Sequence, residues 1–144
     1  MSIQKPKMIL FDYGHTLLYE IGHNAEKGNK AIYQYIKSNP KNISFQEFNK
    51  IVNSTFKKIN ECGNGIDICE KNFLRLVYGY MNIELSVSLE EAESIIWNGV
   101  SECDIMPNAN KILDYLNKND IRSGVISNMC WSGKSLKDRL NRLL

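Results

Sequence analysis

The stretch that decides the fold is MILFDYGHTLLY, residues 8–19. Four apolar residues lead directly into Asp12, and Gly14 follows two positions later. A short, nearly continuous apolar run that ends in a turn is typical of a parallel-sheet strand with both faces covered. We therefore expect a buried strand over residues 7–13 that carries Asp12 at its carboxyl end.

Length and composition are those of one globular domain. The 144 residues include 43% hydrophobic and 24% charged side chains, with a formal net charge of only +2. So small a charge gives no reason to expect a nucleic acid or an anionic membrane as partner. No apolar run approaches the roughly 20 residues that a membrane span needs, and the first residues lack a secretion signal. We expect a cytoplasmic protein whose four cysteines are reduced thiols.

Between this strand and residue 100 the apolar spacing is helical. We expect helices over residues 24–38, from Ser44 to about residue 61, after Asp67, and from Ser88 to about residue 100. Three of these starts have the capping-box pattern, in which a glutamate follows the cap residue by three positions. The pairs are Ser44 with Glu47, Asp67 with Glu70, and Ser88 with Glu91.

After residue 107 the pattern becomes helix, strand, helix, over residues 108–118, 121–126 and from Ser132 onward. The whole order, one strand, four helices, then α, β, α, favours a parallel α/β core over residues 1–18 and 104–144 with a helical cap over 19–103. Ligands of such sheets bind at the carboxyl ends of the strands. Asp12 and Ser127 each follow a strand, so we expect them to face one crevice.

The residues at these strand ends suit phosphoryl transfer. An aspartate there can act as nucleophile, metal ligand or base, and the amides of the turn over residues 14–16 can bind an anion. Thr16 and Ser127 add hydroxyls and Asn128 an amide, which suit phosphate oxygens. The alternative is structural: Asp12 caps its own turn, and the Ser-Asn pair does the same.

Two stretches resemble motifs of the haloacid dehalogenase-like (HAD) hydrolase superfamily. FDYGHTLL, residues 11–18, is similar to its first motif, D-x-D-G-T-L after an apolar strand; GVISN, residues 124–128, is similar to its second, an apolar strand ending in Ser or Thr. The helical block between them matches the family's C1-type cap in place and length. The resemblance covers essentially the whole chain, but only the first half to two-thirds of a typical member.

The resemblance implies a HAD-like Rossmannoid fold and a hydrolase of phosphatase type that acts on a small phosphorylated metabolite. Asp12 would be the nucleophile, which forms an aspartyl-phosphate, and would also bind Mg²⁺. The backbone carbonyl of Gly14 would be a second Mg²⁺ ligand. Thr16, Ser127 and Asn128 would hold the phosphoryl group. Cys130 and Trp131 follow the second motif, on a loop beside the pocket.

The chain departs from the family pattern at two points. Gly14 stands where phosphatases carry a second aspartate, the general acid and base; His15 is a candidate substitute. The family's third motif, a lysine, and its fourth, an acidic pair, do not appear within the 144 residues, because Lys134 and Lys137 come too early. With one carboxylate and one carbonyl as ligands, Mg²⁺ should be held weakly.

These departures leave alternatives open. The chain is either a hydrolase or a non-catalytic HAD-like fragment that serves as a binding or assembly module. Cleavage of a carbon–halogen bond by Asp12 is a third option, but dehalogenases usually carry tyrosine at position 14, so Gly14 gives it no support. The first strand should also leave an apolar sheet edge open, which predicts a homo-oligomer, an exchange of elements between copies, or marginal stability alone.

Overall fold

The computed structural model describes residues 5–63 and 68–144 and shows a mixed α/β chain. In chain order its elements are β1 (Met8–Phe11), β2 (Leu18–Ile21), α1 (Ala25–Tyr33), β3 (Ile36–Ser38), α2 (Phe45–Cys62), α3 (Glu70–Met81), β4 (Glu84–Leu85), α4 (Leu89–Val100), β5 (Glu102–Ile105), α5 (Ala109–Lys118), β6 (Arg122–Val125) and α6 (Gly133–Leu143). None of the helices in these two ranges is long and apolar enough to cross a membrane.

The two strands predicted from the sequence form a parallel pair. β1 lies beside β6, with Met8 opposite Arg122 and Phe11 opposite Val125. The pairing continues one step past the strands, where the Ile126 N–H donates to the Phe11 carbonyl at 2.9 Å. Both strands therefore end at the same edge of the sheet, which confirms the parallel α/β arrangement.

The prediction that the first strand is covered on both faces is wrong. Met8 and Leu10 are 45% and 52% exposed, whereas Ile9 and Phe11, on the other face, are half-buried. Gly124 lies under the exposed pair, because a Cβ there would stand 2.9 Å from Leu10 Cδ2. An apolar run indicates that a strand is suited to burial on both faces. It does not show that the described residues pack against both of them.

Two antiparallel pairs were not predicted. β2 pairs with β5, with Leu18 opposite Ile105 and Ile21 opposite Glu102, so the segments that enter and leave the helical block lie side by side. β3 pairs with β4. The helix expected over residues 24–38 is therefore wrong in its last turn: α1 ends at Tyr33, and Ile36–Ser38 is a strand.

The helices α2 and α4 begin at the cap residues that the sequence predicts. Ser44 caps α2 by accepting the Glu47 N–H at 3.3 Å. At α4 the capping box is complete: Ser88 Oγ accepts the Glu91 N–H at 3.2 Å, and the Ser88 N–H donates to the Glu91 carboxylate at 2.8 Å. The Asp67 capping box lies outside the described residues, and α3 begins at Glu70 after the cap residue Cys69.

Two apolar clusters hold the fold. The larger lies among α1 to α4 and includes Phe48, Val77 and Met81, all at most 1% exposed. α1 and α4 approach so closely that a Cβ on Gly28 would stand 2.5 Å from Val100 Cγ2. The smaller cluster lies below the ends of β1 and β6, and α6 packs on it; its buried members are Tyr13, Leu17, Leu18, Trp97 and Ala109.

Candidate active site

A cavity of about 470 Å³ lies at the carboxyl ends of β1 and β6. Asp12 and Gly14 line it from the end of β1, and Ser127 and Asn128 line it from the end of β6. Asp12 and Asn128 are exposed, and Ser127 is half-buried, so a ligand can reach all three side chains. The parallel pairing thus brings together residues that are far apart in the sequence, at the edge where such sheets bind ligands.

Thr16 is not among the residues that line this cavity. It lies in the turn after Asp12, where the Tyr13 carbonyl accepts the N–H groups of Thr16, Leu17 and Leu18 at 3.4, 3.1 and 3.2 Å. The His15 N–H donates to the Leu18 carbonyl at 2.8 Å. Two of the three amides predicted to bind an anion are therefore already bonded within the turn itself.

A second carboxylate, which no sequence pattern singled out, lines the same cavity. Glu20 lies on β2, and its Oε1 accepts from Trp97 Nε1 at 2.8 Å and from the Tyr13 hydroxyl at 3.3 Å. The Arg139 guanidinium is 3.8 Å from the same oxygen. Burial raises the pKa of Tyr13 above its ordinary value, so the phenol keeps its proton and remains a donor to Glu20.

The wall of the cavity behind Glu20 is aromatic. The Trp97 and Trp131 rings stack with centroids 5.0 Å apart and an interplanar angle of 4°. The Arg139 guanidinium lies over the Trp97 ring, 4.4 Å from its centre, and its Nη2 donates to the Ser101 carbonyl at 2.9 Å. Trp97, Trp131 and Glu20 all contribute to the cavity, so the aromatic stack fixes the wall on which Glu20 is held.

The loop after β6, residues 127–132, is anchored to the helical block. The buried Glu93 carboxylate of α4 accepts the Ser132 N–H at 2.7 Å, the Ser132 hydroxyl, and the Ser135 hydroxyl at 2.6 Å. The Glu70 N–H at the start of α3 donates to the Cys130 carbonyl at 3.0 Å. These contacts fix the loop at Cys130 and Ser132, shortly after Ser127 and Asn128 in the chain.

Glu70 is itself a buried carboxyl group. Burial, and next the negative charge of Glu93, raise the pKa of Glu70 to about 7. Near neutral pH this group therefore changes its charge beside the anchor of the loop that carries Ser127. Its position was predicted only as part of a capping box, and its burial follows from tertiary packing.

The oxygen donors at the cavity fit a loosely held Mg²⁺. Within residues 5–63 and 68–144 no three His, Cys, Asp or Glu side chains come together as metal ligands. Mg²⁺ is nevertheless commonly bound through one or two carboxylates, with waters and substrate phosphate oxygens in the other positions. Asp12 and the Gly14 carbonyl meet that minimum, and the substrate would have to supply further ligands.

Comparison with models of protein families and with curated proteins gives no match for this chain. Two structural features bear on the function: Asp12 and Ser127 converge on one cavity, and Glu20 lies in its wall.

Proposed function

We propose that the chain is a cytoplasmic HAD-like hydrolase of phosphatase type, acting on a small phosphorylated metabolite. Residues 1–18 and 104–144 would belong to a HAD-like Rossmannoid core, and residues 19–103 to its C1-type cap. The observation that carries the proposal is the single cavity lined by Asp12, Ser127 and Asn128 at the ends of two parallel strands. The motif resemblance supports it independently.

In this reaction the Asp12 carboxylate attacks the phosphorus of the substrate. The bond from phosphorus to the leaving oxygen breaks, the leaving group takes a proton from solvent water, and an aspartyl-phosphate forms on Asp12. Water then attacks that phosphorus, which releases inorganic phosphate and restores the carboxylate. Ser127 and Asn128 donate hydrogen bonds to the phosphoryl oxygens, while Mg²⁺, when bound, neutralises negative charge.

Replacing Asp12 with asparagine should abolish the covalent intermediate, because an amide does not attack phosphorus. The chain is incubated with radiolabelled acetyl phosphate and Mg²⁺, quenched in acid, and counted. We expect label on the unaltered chain that hydroxylamine removes, as for an acyl phosphate, and none on Asp12→Asn. Asp114→Asn, which changes an exposed aspartate on α5, should keep the label. No label on the unaltered chain, or equal label on Asp12→Asn, contradicts the proposal.

A second candidate is a non-catalytic binding or assembly module, and the exposed face of β1 favours it. Met8 and Leu10 expose apolar surface on a strand whose second edge has no partner among residues 5–63 and 68–144. Such an edge pairs readily with another chain. The module hypothesis therefore predicts self-association through β1 and no phosphoprotein.

The oligomeric state of the chain, measured by light scattering, tests this second candidate. The module should be a dimer that Leu10→Lys converts to monomer, because the lysine places a charge on the exposed strand. Tyr115→Lys is the matched control, since Tyr115 is a similarly exposed residue, 56% exposed, on α5. A monomeric unaltered chain that takes up label rejects the module; a dimer without label supports it.

A further inference from the structure

We propose that Glu20 is the general base that activates water for the second half of the reaction. The inference rests on the proposed function, because it requires an aspartyl-phosphate on Asp12. It assigns to a residue of β2 the task that Gly14, which has no side chain, cannot perform. Among the described residues, two carboxylates line the cavity, Asp12 and Glu20.

Three contacts hold Glu20 in position. Trp97 Nε1, the Tyr13 hydroxyl and the Arg139 guanidinium all approach Oε1, at 2.8, 3.3 and 3.8 Å. All three partners are at most 5% exposed, so the donors are themselves fixed by packing. Because the contacts fall on one oxygen, Oε2 is the atom left to take a proton from a water in the cavity. A base fixed in this way needs little reorganisation.

His15 is the competing candidate. It lies at the same cavity, but it is exposed and follows Gly14 in the turn, with φ at 56°. Its backbone N–H is bonded to the Leu18 carbonyl. Among the described residues no hydrogen bond or ion pair holds the His15 imidazole, whereas three contacts hold Glu20 Oε1. The geometry therefore favours Glu20.

The step is balanced in atoms and charge. Glu20 Oε2 takes a proton from water while the water oxygen bonds to phosphorus, and the bond from phosphorus to the Asp12 oxygen breaks. The Asp12 carboxylate is restored and inorganic phosphate leaves. Glu20 then returns its proton to solvent, and no oxidant or reductant takes part.

Single-turnover labelling separates this step from the first. We expect Glu20→Gln to take up label from acetyl phosphate as the unaltered chain does, and to lose it about 10²-fold more slowly. Glutamine retains an oxygen that accepts from Trp97 and Tyr13, and far-ultraviolet circular dichroism verifies the fold.

Two further variants define the outcomes. Glu102→Gln, which changes an exposed glutamate on the neighbouring strand β5, should lose label at the unaltered rate. His15→Asn tests the competing base, because asparagine tolerates the left-handed backbone at this position. If His15→Asn loses label slowly and Glu20→Gln does not, the inference is overturned in favour of His15. Unchanged loss in Glu20→Gln overturns the inference alone, whereas no label on the unaltered chain overturns the proposed function and the inference together.

Discussion

Placing an aspartate at position 14 should raise the turnover of alkyl phosphates by about 10²-fold or more, the usual contribution of a general acid. An alkoxide is a poor leaving group and needs a proton as the bond to phosphorus breaks. The backbone accepts the side chain, since a Cβ on Gly14 would have no heavy atom within 4 Å apart from its chain neighbours. The new carboxyl would stand two residues after Asp12, at the same cavity.

The choice of substrate makes this prediction specific. p-Nitrophenolate leaves without protonation, so Gly14→Asp should change the turnover of p-nitrophenyl phosphate little. Gly14→Asn is the matched control, because it has the same size and no acid, and it should give no gain on either substrate. An equal gain from Asp and Asn would mean that the side chain acts by packing, and no gain from Asp would show that a carboxyl at position 14 cannot reach the leaving group.

The aspartate introduced at position 14 and the Glu20 carboxylate would act on different steps of the reaction. The aspartate should accelerate formation of the phosphoprotein, whereas Glu20→Gln should slow its loss. The unaltered chain would then be an enzyme suited to substrates with good leaving groups, such as acyl or aryl phosphates. Its substrate class follows from the proton transfers that the cavity supplies: a base for the attacking water, but no acid for the leaving group.

The parts of the fold that the sequence predicts are those set by local interactions. The capping boxes at Ser44 and Ser88 involve residues three positions apart, so they identify the starts of α2 and α4 without knowledge of the rest. The apolar run before Asp12 and the run before Ser127 identify the two parallel strands for the same reason. Because both strands are parallel neighbours, their ends had to meet.

The missed parts depend on contacts between distant segments. Ile36–Ser38 continues a helical pattern and becomes a strand only because Glu84–Leu85 lies beside it. Glu20 follows the first motif in an ordinary polar position, and its role appears only when Trp97 and Arg139 reach it from α4 and α6. One available signal was the chain's two tryptophans. Trp97 lies in the predicted helix that starts at Ser88, Trp131 follows the strand predicted over residues 121–126, and large aromatic rings pair favourably.

Replacing Glu70 with glutamine should stabilise the chain by about 3 kcal/mol at pH 8, and by almost nothing near pH 4.5. Burial and the charge of Glu93 raise the pKa of Glu70 from an ordinary 4.5 to about 7. The folded chain therefore binds a proton that the unfolded chain releases between these values. Its free energy of unfolding should fall as the pH rises from about 4.5 to about 7, and the glutamine removes that fall.

Urea denaturation followed by circular dichroism at several pH values between 5 and 8 measures the difference between the two chains. Glu47→Gln is the matched control: Glu47 also lies in the first turn of a helix but is exposed, so its effect should stay within about 0.5 kcal/mol at every pH. A difference between Glu70→Gln and the unaltered chain that does not grow with pH would contradict the prediction.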